Sequence, residues 1–220
     1  MKARRHFDSP SFPLRREICV FINCPYDQAF EDSFFAIAFC VVCCGLVPRC
    51  AFESRSDADP RMARILRAIR GSKYSIHDLS RCRGEGDENL ARFNMPLELG
   101  MAMAARFAER VASRRHDWLP LVLRGHGYRR FVSDLAGYDP AEHDGDPDSI
   151  VAAVMPWLAT RPDARMCPEP RRVRDGLPLF LKLRRELRDS WLGQEPWMDV
   201  IDLAMETGAR LGLIPRPPNP

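Results

Sequence analysis

The stretch FNMPLELGMAMA, Phe93 to Ala104, places one carboxylate, Glu98, near the start of a helix that then runs on in small apolar residues. A carboxylate in that setting can do one of two things. If Met95 is the N-cap and Pro96 the first helical residue, Glu98 stands third, where it complements the helix dipole and can bond the N-cap amide. Alternatively, it serves as nucleophile or charge stabiliser for an oxocarbenium-like sugar centre, as in glycosidic cleavage. Asn94, one helical turn earlier, could order a ribose hydroxyl. Phe93 or Tyr26 could stack a base, although an aromatic at either position also suits a core.

Further polar residues fall where strands should end. Asn23, Tyr26 and Asp27 follow the apolar run ICVFIN, Glu53 and Arg55 follow LVPRCAFE, and Asp78 and Arg81 close KYSIHDLS. In an open parallel sheet ligands bind outside the carboxyl ends of the strands, so these residues can converge with Glu98 on one crevice. Arg55 or Arg81 could take a phosphate through the guanidinium fork. Asp78 could equally cap its own loop. His77 should point to the opposite face by strand alternation.

Other chemistries lack their residues. Neither GxGxxG nor GxxxxGK[ST] follows the first strand, and neither GxSxG nor HExxH occurs, which disfavours dinucleotide dehydrogenases, P-loop enzymes, serine hydrolases and zinc proteases. Cys40 and Cys43 form a CxxC inside an apolar helix without a second pair or a neighbouring histidine, so core thiols are expected there and no metal site.

The elements that must position these residues follow from pattern. ICVFIN lacks alternation, as befits a strand covered on both faces. Asp27 and Gly45 bracket the first helix, Pro60 and Gly71 the second, and a polar loop from Arg81 to Asn89 leads to the helix of Glu98. WLPLVL supplies a further strand, and a helix spans about 147–158. Strands alternating with helices at this pitch predict a flavodoxin-like, doubly wound parallel α/β sheet over residues 16–160. Residues 1–15 read as a loose leader. Residues 161–220 read as a C-terminal helical appendage, a proline-rich linker and then amphipathic helices over about 177–191 and 196–211.

Composition sets the outer limits. With 45% hydrophobic and 29% charged residues, the 220-residue chain has the mix of an ordinary globular protein. Its net charge of +3 is spread out, and RRVR at Arg171 to Arg174 is the one local basic cluster, so no nucleic-acid partner is expected. The longest apolar stretch, Phe34 to Val47, is about one helix long and no signal-like run precedes it. A cytoplasmic protein with reduced cysteines and no membrane partner is therefore expected.

Taken together, FINCPYDQAF, SIHDLSR and NMPLELGMAMA resemble the nucleoside 2-deoxyribosyltransferase-like group and, on the same scaffold, the TIR-like domains of bacterial defence systems, over roughly residues 17–158. In the deoxyribosyltransferases a strand-end Asp, an Asp four residues before the nucleophile and a nucleophilic Glu in an ExG context form the site. The resemblance gives those roles to Asp78 and Glu98, with Asn94 standing where the second Asp would be. TIR-like enzymes similarly place a catalytic Glu early in the helix after the third strand and cleave the nicotinamide–ribose bond of NAD or make cyclic ADP-ribose species. The usual cysteine-containing lead-in to that Glu is absent here. Both relatives imply attack at the anomeric carbon of an N-linked ribose. NAD or another nucleotide is then a substrate, with no separate cofactor, and a homo-oligomer or a defence-system partner protein becomes an expectation. The rival expectation is a catalytically inactive nucleotide sensor or scaffold whose helical tail, with the exposed-looking Trp191 and Trp197, contacts a partner; the expectation that outweighs an exposed tail is a helical pair packed back onto the sheet domain.

Overall fold

The computed structural model describes residues 15–53, 59–81, 93–125, 127–130 and 132–215. The expected leader falls outside them except for Arg15, and Arg55 lies outside them too.

The apolar runs form five parallel strands: β1 (Cys19–Asn23), β2 (Val47–Arg49), β3 (Tyr74–Asp78), β4 (Asp117–Leu123) and β5 (Ala141–His143), in the order β2-β1-β3-β4-β5. Every residue of β1 and β3 is buried. The cause is a helical layer on each face. The helices are α1 (Glu31–Cys43), α2 (Arg61–Arg70), α3 (Asn94–Ala108), α4 (Pro147–Ala159), α5 (Pro170–Ser190) and α6 (Trp197–Arg210). Val20 and Ile22 of β1 share a core with α1 and α4, whereas Phe21 packs with Ile65 and Ile69 of α2 and Ala102 of α3. This is the doubly wound, flavodoxin-like arrangement that the sequence predicts.

Local chemistry explains where the elements start and stop. The Asp27 carboxylate accepts from the Phe30 N–H at 3.1 Å and caps a 3-10 turn, Gln28–Phe30, that runs into α1. Gly45, at φ +71°, occupies the left-handed region that lets the chain leave that helix. From Ser33 to Cys43 α1 is buried all round, because the sheet lies on one side and α5 and α6 on the other. Its Cys40 and Cys43 are fully buried, and burial pushes the Cys43 thiol up to about 12.

Three boundaries differ from the expectation. β2 is three residues long rather than the whole of LVPRCAFE. β5, only three residues, is too short to leave a periodic signal. α5 begins at Pro170, not near Leu177, with proline in its first turn, so RRVR forms part of that helix.

The C-terminal helices share the main core. Phe180 of α5 stacks on Phe39 of α1 at 4.7 Å, and Val173, Leu177, Val200 and Ile201 belong to the same cluster. In keeping with a helical pair packed back onto the sheet, Trp197 is 7% exposed, and its Nε1 donates to the Pro48 carbonyl of edge strand β2 at 3.0 Å. That contact covers an edge that would otherwise invite pairing. Trp191 stands 48% exposed. No helix among the described residues is long and apolar enough to cross a membrane.

Candidate active site

After β1 the chain turns to α1 on one face; after β2 it crosses to α2 on the other. The carboxyl ends of β1 and β3 therefore flank the switch point of the sheet, where an open α/β fold forms its crevice. Residues 23–27 leave β1 there, residues 78–81 leave β3, and α3 begins over both.

α3 starts at Asn94, two residues earlier than the sequence reading places it, with Phe93 as a cap that offers no side-chain hydrogen bond. Glu98 thus sits in the second turn, beyond reach of a capping box, which removes the helix-end role. The residue is only 4% exposed and makes no hydrogen bond or ion pair among the described residues. Burial pushes its carboxyl up to about 7, with the Arg61 charge pulling weakly the other way. A carboxyl kept half-neutral near pH 7 without a partner is costly to the fold and characteristic of functional sites.

The other segments converge on it through Cys24 and Tyr26. Burial raises the pKa of both groups well above the ordinary range, and the carboxylate of Glu98 adds to each. Asp78 and Asp27 also act on Cys24. This thiol marks the meeting point of the loops, although nothing in the sequence singles it out among the apolar cysteines.

Asn23 sets the position of α3. It is 1% exposed, and its Nδ2 donates to the Met95 carbonyl at 3.0 Å and to His77 Nδ1 at 2.9 Å. The remaining donors follow in one direction. His77 Nε2–H points to Ser75 Oγ at 2.7 Å, Ser75 Oγ–H to His116 Nε2 at 2.7 Å, and His116 Nδ1–H to the Ser72 carbonyl at 2.9 Å. Because a carbonyl can only accept, the last bond fixes every tautomer in the chain. Burial holds both imidazoles neutral, lowering His77 to about 3 and His116 to about 4. Asn23 is thus a positioning residue whose amide hydrogens are both committed.

Asp78 lies on the opposite face from His77, as strand alternation requires, and is fully buried. Its Oδ1 accepts from the Ser80 N–H at 2.8 Å, the loop-capping role foreseen for it. Its Oδ2 lies 2.8 Å from His143 Nε2, out of line for a hydrogen bond, and that nitrogen also meets Ser80 Oγ at 2.9 Å. Since His143 Nδ1 accepts from the Gly145 N–H, the ring proton resides on Nε2. Sequence reasoning missed His143 because its strand was not legible.

The remaining candidates divide. Asn94 is exposed one turn before Glu98, and Phe93 is 71% exposed. Arg81 reaches Asp27 at 3.3 Å, joining the loops after β3 and β1. Glu53 is ion-paired with Arg49, which ties it to β2. Tyr26 donates its hydroxyl to the Ile22 carbonyl at 2.9 Å and packs edge-on to Phe52 at 4.4 Å.

A cavity of about 630 Å³ opens on the α1 side of the switch point, walled by Tyr26, Phe34, Phe52 and Trp197 and floored by Glu31 and Arg184. Arg184, 2% exposed, donates from Nη2 to Glu31 and to Glu195, each at 2.7 Å, with its guanidinium 3.7 Å above the Phe35 ring. Glu98 does not line this cavity; Tyr26 and Asp27 belong to its wall. Among the described residues no cluster of histidine, cysteine, aspartate and glutamate could hold a metal ion.

The fold and the crevice define a doubly wound α/β protein with a buried, unpartnered carboxyl at its switch point. No protein family, curated protein or solved structure matches the chain.

Proposed function

We propose that the protein cleaves, or transfers the ribosyl part of, the N-glycosidic bond of NAD or a related nucleotide, with Glu98 acting at the anomeric carbon. The observation that carries this reading is the Glu98 carboxyl, buried, without a partner and raised to about 7 at the mouth of the switch point. A carboxylate in so apolar a setting stabilises a developing oxocarbenium ion more strongly than one in water, and can trap it covalently before water or another acceptor releases it. The exposed Asn94 lies on the turn that faces an arriving sugar. The resemblance to deoxyribosyltransferases and TIR-like enzymes assigns the same chemistry to this glutamate and motivates a defence role.

A second reading, nucleotide binding without turnover, draws on the 630 Å³ cavity, whose aromatic walls fit a planar ligand although Glu98 is not among them. Incubation of the full chain with NAD and a panel of nucleosides and nucleoside monophosphates, followed by chromatography, separates the two. Free base from wild type and not from Glu98→Gln supports cleavage. Intact substrates together with ligand-dependent thermal protection support the sensor.

A further inference from the structure

The solvent faces of the helices are not alike. On α2 the exposed residues include Arg61, Arg67 and Arg70, and on α5 they include Arg174, Lys182, Arg185 and Glu186, as expected of surfaces in water. On α3 the exposed residues are Phe93, Asn94, Leu97, Gly100, Ala104, Phe107 and Ala108, with no charge among them. Phe93, Leu97, Gly100, Ala104 and Phe107 follow one another at alternating intervals of four and three. Two heptads of apolar residues facing outward form the seam of a helix that packs against another helix.

The spacing also says which helix. Leu97 and Phe107, and Gly100 and Ala104, each have their midpoint at residue 102. Two copies of α3 crossing antiparallel about a two-fold axis at that point therefore place large against large at the ends and small against small in the centre. A Cβ built on Gly100 meets no atom within 4 Å, so close approach at the axis is open. The flanking positions of the seam, Asn94, Pro96, Met101, Met103 and Ala108, bring no like charges together, and antiparallel helix dipoles attract.

The area suffices. Phe93, Leu97 and Phe107 are 71%, 51% and 73% exposed. At roughly 150–250 Å² per aromatic side chain and somewhat less per aliphatic one, these three offer about 350 Å² per copy. A symmetric pair would bury about 700 Å² from them alone, and the small residues and rim carry the total to the ~1,000 Å² that a specific interface needs.

We infer that the protein is a homodimer formed by the outer face of α3, with Gly100 and Ala104 of one copy against Ala104 and Gly100 of the other. This inference is independent of what Glu98 does, although the dimer would rest on the helix that carries that residue.

The test is sedimentation of the full chain from about 1 to 100 µM, as wild type and as Leu97→Asp, Phe107→Asp and Gly100→Gln. Each substituted side chain points into open solvent in the monomer, so circular dichroism spectra at low concentration should show the wild-type fold. Wild type should sediment as a dimer in the upper part of that range, and each variant should weaken the dimer by about tenfold or more. A wild type that stays monomeric throughout, or a dimer indifferent to Leu97→Asp and Phe107→Asp, overturns the proposal. A dimer broken by those two but unaffected by Gly100→Gln refutes the close antiparallel crossing.

Discussion

Replacing Glu98 by glutamine should stabilise the protein, and more so at high pH. Burial raises the carboxyl from its ordinary 4.5 to about 7, so the native state holds a proton that the unfolded chain releases between those values. Stability therefore falls as pH rises through this window. A rise of that size corresponds to about 3 kcal/mol. Below pH 4.5 the carboxyl is neutral in both states and the penalty vanishes; above pH 7 it is present in full. Glutamine keeps the shape and carries no charge, so it escapes the penalty. The assay is a pair of thermal melts from pH 4 to pH 8.5, read as the difference between variant and wild type so that other titrating groups cancel. The variant's advantage should grow from near zero at pH 4 to roughly 6–12 °C above pH 7, taking about 2–4 °C per kcal/mol for a chain of this size. A pH-independent difference, or a variant less stable than wild type at pH 8, would refute the claim that Glu98 is a buried carboxyl without a partner.

Further outcomes follow from the surroundings of the site. Asn23→Ala should cost about 2–4 kcal/mol in urea unfolding, because His77 Nδ1 and the Met95 carbonyl each lose a donor while buried. Nitrogen-15 spectra of the histidines should show His77 protonated on Nε2 and His116 on Nδ1, both neutral still at pH 5, since burial lowers them to about 3 and 4. A protonated imidazole on either at that pH would contradict the hydrogen-bond order. Arg184→Met should destabilise by about 3–5 kcal/mol by leaving Glu31 and Glu195 short of their shared partner, and Glu195→Gln in the same chain should recover part of the loss.

Elements with a strong local signal were legible in the sequence. The unbroken apolar runs of β1 and β3 announced strands covered on both faces, and Asp27 and Gly45 marked the ends of the first helical segment as the structure has them. The places of Asn23, Asp27, Asp78 and Arg81 at or just beyond the carboxyl ends of β1 and β3 followed from their positions after the apolar runs. Three residues of β5 carry no periodicity, so His143 and its contact with Asp78 stayed hidden. The start of α3 was misplaced because proline at the third helical position looks, in sequence, like proline at the first. That shift of two residues decides whether Glu98 caps a helix or sits buried with nothing to bond. Trp197 looked exposed because the partner that buries it, the edge strand at Pro48, lies 149 positions away in the chain. Tertiary packing of that kind has no local signature.

The central claim, that Glu98 acts on the sugar, is tested most directly by the rate of nicotinamide release from NAD by the full chain, measured from pH 5 to pH 9. A pyridinium leaves without being protonated, so only the ionised carboxylate is needed. The rate should climb with pH and level off above about 7, with Glu98→Gln slower by at least about a hundredfold on that plateau and the gap narrowing towards pH 5. Release by Glu98→Gln at the wild-type rate and with the wild-type pH profile would contradict it.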